Sequence, residues 1–203
     1  MSDHERYLEA INLFEELNRH GIKPNTITLS TVTKTIIGLN DIDRAKQFYK
    51  QFIIDSSEHN IVVMNSIIKM FSKCGDIDTA RMVFEQMKKR DKITWGMIID
   101  AMAEHGKGTD CIKYFNEMIK SGILPDLFSV GSLLNGLSHT GLVDEALAIY
   151  HSLESKFHIK PTTNHAICVV DLLGRNGKLK EAEEWIEKNL TNPDTITFKT
   201  LLS

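Results

Sequence analysis

The chain is poor in what staples, anchors or addresses other proteins. Its three cysteines (Cys74, Cys111, Cys168) are an odd count at wide spacings, which excludes a disulfide-bonded secreted scaffold and points to a reducing compartment. No apolar run approaches the roughly 20 residues that a helix needs to span a bilayer. Neither sign of charge dominates: 24 basic against 27 acidic residues leave a net −3. That excludes a crude polycation that adheres to any nucleic acid. The opening MSDHERYLEA lacks the basic start and apolar stretch of a secretory signal, and its acids (Asp3, Glu5, Glu9) are foreign to transit peptides. Four prolines and twelve glycines are few for 203 residues, and their positions matter. What remains, 42% apolar and 25% charged, is the composition of a globular chain.

A period runs through it. A small residue recurs at Ala10, Ala45, Ala80, Cys111, Ala146 and Ala182, at intervals of 35, 35, 31, 35 and 36. Five residues before each of the last five sits a turn former: Asn40, Gly75, Gly106, Gly141 and Gly177. Four residues after each of the six sits a bulky one: Phe14, Tyr49, Phe84, Phe115, Tyr150 and Ile186. Three residue classes held in phase over six cycles mark a tandem array. The prolines (Pro24, Pro125, Pro161, Pro193) close the cycles, since a proline stops a helix. Cutting one residue after each, and at the matching places of the period where no proline stands (after 60 and 91), gives units 26–60, 61–91, 92–126, 127–162 and 163–194. A partial unit, 1–25, precedes them, and 195–203 begins a further unit or an extension.

Within a unit the apolar residues keep helical spacing. Met64, Ile67, Ile68 and Phe71 fall at i, i+3, i+4 and i+7, as do Trp95/Ile98/Ile99/Met102, Val130/Leu133/Leu134/Leu137 and Ala166/Val169/Val170/Leu173. The central glycine supplies the left-handed residue that ends this first helix. An acid then starts the second helix, as in Asp76-Ile-Asp78 or Asp144-Glu145. One such hairpin cannot bury its apolar face, so units must stack. The expected fold is all-α, an α-solenoid of helix-turn-helix repeats forming a superhelix. The ends are expected to be cuts in a longer array. The chain opens in a second helix (near Tyr7 to Arg19) and closes in a first helix (Thr197 to Ser203). Phe198, Leu201 and Leu202 would then be exposed, with fraying or dimerisation at the ends.

The residues also choose between solenoids. A tetratricopeptide repeat wants a glycine where this chain has Ile68, Ile99, Leu134 and Val170. The phrases VMNSIIKMFSKCGDIDTARMVFEQM (63–87), ITWGMIIDAMAEHGKGTDCIKYFNEMIKSGILPD (93–126), LLNGLSHTGLVDEALAIYHSL (133–153) and CVVDLLGRNGKLKEAEEWIE (168–187) instead resemble the pentatricopeptide repeat (PPR) family. The mixture of unit lengths is similar to the subclass that alternates standard, long and short repeats, found mostly in RNA editing factors of mitochondria and plastids. The resemblance implies a single-stranded RNA partner, one base per unit along the first helices. Each base is met by a unit's fifth and last residues and clamped by the second residues of that unit and the next. The pairs are Ser30 with Asn60, Asn65 with Asp91, Gly96 with Asp126, Gly131 with Thr162, and Ile167 with Asp194. Only Asn65/Asp91, clamped by Val62 and Ile93, has both readers in the family's usual form, a combination that prefers uracil and then cytosine. The competing structural reading makes Asn65 a helix-start cap and Asp91 a linker acid.

Lys69, Lys73 and Lys34 are placed to meet phosphates, whereas Asp100 and Glu104 stand at the matching places of the next unit. Mitochondrial or plastid location, and an editing deaminase or another editing protein as partner, follow from the resemblance alone. No catalytic residue, metal, cofactor, membrane or small-molecule substrate is expected. None of the eight histidines opens a His-x-Glu, and no two cysteines are close enough for a zinc site. Cys111 reads as a buried small residue, and His105 and His139 as turn neighbours. Two alternatives stay open: a protein-interaction solenoid holding a peptide or helix in its concave groove, and a relic fragment without activity.

Overall fold

The computed structural model describes residues 3–54 and 60–189. Among these run eleven α-helices: α1 (Asp3–Arg19), α2 (Thr26–Leu39), α3 (Ile42–Tyr49), α4 (Ile61–Lys73), α5 (Ile77–Gln86), α6 (Lys92–Glu104), α7 (Gly108–Lys120), α8 (Leu127–Thr140), α9 (Val143–Phe157), α10 (Thr163–Arg175) and α11 (Leu179–Asn189). No strand occurs among the described residues, and none of these helices is long and apolar enough to cross a membrane. α3 does not stop as an ordinary second helix would but continues as a π-helical turn, Lys50–Ile54. Asp194, Phe198, Leu201 and Leu202 lie outside the described residues.

Contacts divide the chain into two compact bodies, Met1–Ala101 and Met102–Ser203. In the first, α1 packs on α2, α2 on α3 and α4, α3 on α4, and α4 on α5. In the second, α7 packs on α8, α8 on α9 and α10, α9 on α10, and α10 on α11. Successive first helices therefore lie side by side within a body (α2 with α4, α8 with α10), the stacking of an α-solenoid.

The periodic positions explain the packing. Ala45, Ala80, Cys111, Ala146 and Ala182 are each 0% exposed, and the bulky residues four places on, Tyr49 to Ile186, are buried beside them. All sixteen residues of the four apolar stripes are buried. Each first helix starts under a side-chain cap on the residue before it. Asn25 accepts from the Thr28 N–H at 2.9 Å, Asn60 from Val62 at 2.9 Å, Asp91 from Thr94 at 2.8 Å, Asp126 from Ser129 at 2.9 Å and Thr162 from His165 at 3.5 Å. Such a cap stabilises a helix by about 1 kcal/mol. The first helices end where the chain turns left-handed, at Gly75 (φ 85°) and Gly141 (φ 71°) among others; Asn40 (φ 51°) takes the glycine's place in its own unit.

Candidate nucleic-acid interface

On α4, Val62, Ser66, Lys69 and Lys73 follow at intervals of four, three and four, which places them along one side of the helix. Val62 is 53% exposed, an unusual state for valine next to so deep a core. The matching residue of α2, Ile27, is 75% exposed, and that of α6, Ile93, is 55% exposed. Three successive first helices of the first body thus hold an aliphatic side chain out to solvent at the same place. On α8 of the second body an aromatic side chain, Phe128, is exposed at that place. At the fifth place of that α8 unit stands Gly131, and on α10 Ile167 is half-buried.

Asn65 and Asp91 meet. The Asn65 side-chain amide stands close enough to the Asp91 carboxylate to favour its charged form, linking the second turn of α4 to the residue that opens α6. Asp91 Oδ1 also accepts from the Thr94 N–H and the Thr94 hydroxyl, both at 2.8 Å, and Thr94 Oγ1 in turn accepts from the Asp91 N–H at 3.3 Å. Asn65 is buried, and its Oδ1 has no hydrogen-bond partner in the chain. An orphaned buried acceptor of this kind calls for an explanation. The cap of α4 is Asn60, five residues ahead of Asn65, so the helix-cap alternative fails for Asn65. Asp91, expected under that alternative as a linker acid, does lie in the connection ahead of α6, and it also caps that helix.

Burial pushes the Asp91 carboxyl up, but hydrogen bonds from the Thr94 N–H and hydroxyl, with the Asn65 amide and the Ile93 N–H nearby, outweigh it and hold the group below its ordinary 3.8. Asp76, the cap of α5, behaves alike: burial raises it, while Thr79 and Lys46, whose Nζ stands 3.4 Å away, bring it below 3.8. A depressed folded value means that the stability these carboxylates contribute is present above 3.8 and is lost as pH falls from there through the lower folded value. Denaturation followed by circular dichroism from pH 6 down to 2 is expected to show a falling acid limb that is shallower in Asp91→Asn. An unchanged limb would remove Asp91 from the explanation.

The other expected readers are placed as follows. Ser30 is half-buried, its Oγ 3.5 Å from the Ser66 Oγ, and Asn60 is exposed and committed to its cap. Asp126 and Thr162 each form a capping box, with Ser129 and His165. Gly96 is buried. Lys34, Lys69 and Lys73 are all exposed on the first body, while Asp100 is half-buried there. Among the described residues no group of three or more His, Cys, Asp or Glu is placed to hold a metal. Thr94 and the exposed Ile27 and Phe128 stand outside the residues expected from the sequence. Thr94 was detectable as the third residue after an acid, the spacing of a capping box. Ile27 and Phe128 hold the same place in their units as Val62.

A PPR repeat model matches residues 62–91, 128–156 and 168–188, and a second model of the PPR repeat family matches 90–139. A mitochondrial pentatricopeptide repeat-containing protein of Arabidopsis thaliana is 32% identical over 195 residues, covering 96% of this chain and 28% of the relative. A second Arabidopsis pentatricopeptide repeat-containing protein is 33% identical over 195 residues, covering 96% and 27%. The chain thus spans little more than a quarter of the length of these relatives. Among solved structures, the maize pentatricopeptide repeat protein PPR10 in complex with an 18-nucleotide psaJ RNA element aligns with a TM-score of 0.76 at 19% identity, over 96% of this chain and 29% of that one. The phased helical hairpins, their capped first helices and these matches together make the chain a member of the pentatricopeptide repeat family.

Proposed function

We propose that this chain binds single-stranded RNA along its first helices and selects a pyrimidine, uracil ahead of cytosine, at the slot formed by Asn65 and Asp91. The observation that carries this reading is the approach of Asn65 to Asp91, with Val62 and Ile93 exposed at the second places of their two units. The pair has a definite polarity. Asp91 only accepts, so Asn65 turns its NH2 towards it and keeps its Oδ1 for another donor. Uracil offers a ring N–H to such an oxygen, and cytosine carries no hydrogen at that ring position. Val62 and Ile93 would hold the base between them, a contact of about 1–3 kcal/mol in single-strand binders.

Lys34, Lys69 and Lys73 supply phosphate contacts. Three of them predict that the logarithm of the binding constant falls with the logarithm of salt concentration at a slope of about −2, and that Lys69→Ala shallows the slope by about 0.7. The slots at Ser30/Asn60, Gly96/Asp126, Gly131/Thr162 and Ile167/Asp194 are weaker readers or spacers. In the longer protein to which such an array belongs, the segment serves organellar RNA processing by marking a site for C-to-U editing. The mitochondrial relative and the RNA-bound structural neighbour support this reading.

The experiment is selection of the purified chain against a randomised short RNA pool at two salt concentrations. Wild type is expected to enrich uracil at one position, and Asn65→Ala to lose that enrichment while retaining salt-sensitive binding. No binding by a folded chain would favour a peptide-binding solenoid instead.

A further inference from the structure

Arg90 precedes Asp91 and takes no part in the base-reading pattern. It lies half-buried in the connection 87–91 between α5 and α6. Its Nε donates to the Phe84 carbonyl at 3.1 Å and one Nη to the Glu85 carbonyl at 2.9 Å. Both carbonyls belong to the last turn of α5, where a helix leaves acceptors unmatched and favours a cation. The guanidinium also lies 4.4 Å from the centre of the Phe84 ring and 5.7 Å from that of Trp95 on α6. Those two rings meet edge-on at 5.0 Å. One side chain thus grips the end of α5 and the start of α6, with Asp91 between.

We infer that Arg90 is a positioning residue for base reading: by locking the α5–α6 connection it sets the backbone of Asp91 so that the carboxylate reaches Asn65 on α4. This rests on the RNA-binding reading above. The cap to Thr94 by itself aligns Asp91 only with α6, its own helix. Reaching across to α4 requires that the chain enter α6 from one direction, and the two-pronged guanidinium fixes that direction. Lysine keeps the charge and the aliphatic stem but not the planar fork.

The test uses the full chain carrying Trp185→Phe, which leaves Trp95 as the only tryptophan of two. Arg90→Met is expected to change the Trp95 emission and to lower discrimination at the single nucleotide read by Asn65 by about fivefold, within the reach of one base contact. Binding to the RNA pool as a whole should stay within about twofold, because stacking and phosphate contacts are untouched. If Arg90→Met does not fold, the same ratio is read in Arg90→Lys, expected to lose about half of the discrimination for want of the fork. A residue with a structural part only would lower affinity for every base alike. Discrimination unchanged in the folded Arg90 variant, while Asp91→Ala abolishes it, overturns the positioning role and leaves RNA reading intact. A folded wild-type chain that binds no RNA overturns both.

Discussion

Asp91→Ala is expected to destabilise the chain by about 2–4 kcal/mol and to abolish base preference at the Asn65 slot. Two losses add. The cap of α6 disappears, at about 1 kcal/mol. The Asn65 amide, buried on α4, is left with a donor facing no acceptor, which costs about 1–3 kcal/mol more. Asp91→Asn separates the two functions of the residue. Asparagine is as good a cap as aspartate, so most of the stability should return. Its amide, however, no longer obliges Asn65 to turn its NH2 inward, and the uracil preference should stay flattened. Urea denaturation together with RNA selection on the three proteins reads both quantities. Equal selectivity in Asp91→Asn and wild type would mean that the charge has no part in orienting Asn65.

The second large effect contrasts two glycines on one helix. At Gly136 a β-carbon would lie 2.7 Å from the Cys111 Sγ and 3.1 Å from the Ala103 Cα. Cys111 is fully buried, and backbone cannot step aside. Gly136→Ala should therefore cost about 1–3 kcal/mol through overpacking. At Gly131 the nearest atom to an added β-carbon is the His165 Nε2 at 3.6 Å, an ordinary contact. Gly131→Ala should then stabilise α8 by about 0.5–1 kcal/mol, the helix-interior difference between the two residues. The position is also where a reader would stand. Gly131→Asn combined with Thr162→Asp keeps a capping residue ahead of α10 and creates a second Asn/Asp pair, expected to add pyrimidine selectivity of about tenfold at one further nucleotide. Thermal melts and RNA selection measure the two halves. A destabilised Gly131→Ala would contradict the open contact at that position.

The architecture was legible because solenoid packing repeats its demands. The same small residue must fit at Ala45, Ala80 and Cys111, so the demand is written several times over and stands out from local noise. Asn40 in the glycine's place is the instructive variation: the requirement is a left-handed residue, which asparagine meets. The site was legible only as a list of positions. That Asp91 both caps α6 and holds Asn65 was not, because a carboxylate's two oxygens look the same in a sequence whichever partners they take. Arg90 was invisible for a similar reason. Its partners are carbonyls and ring faces, which leave no pattern of residue types. The π-helical continuation of α3 through Lys50–Ile54 likewise has no counterpart in the periodic signal, which sees a second helix in every unit.

The most direct measurement follows the Asn65 side-chain amide by nuclear magnetic resonance while short single-stranded RNAs of one base type are added. With oligouridine, the Asn65 amide resonances and the methyl groups of Val62 and Ile93 should shift together and saturably, and more weakly with oligocytidine. Shifts absent from all three residues, or confined to the second helices α3 and α5, would contradict base reading at this slot.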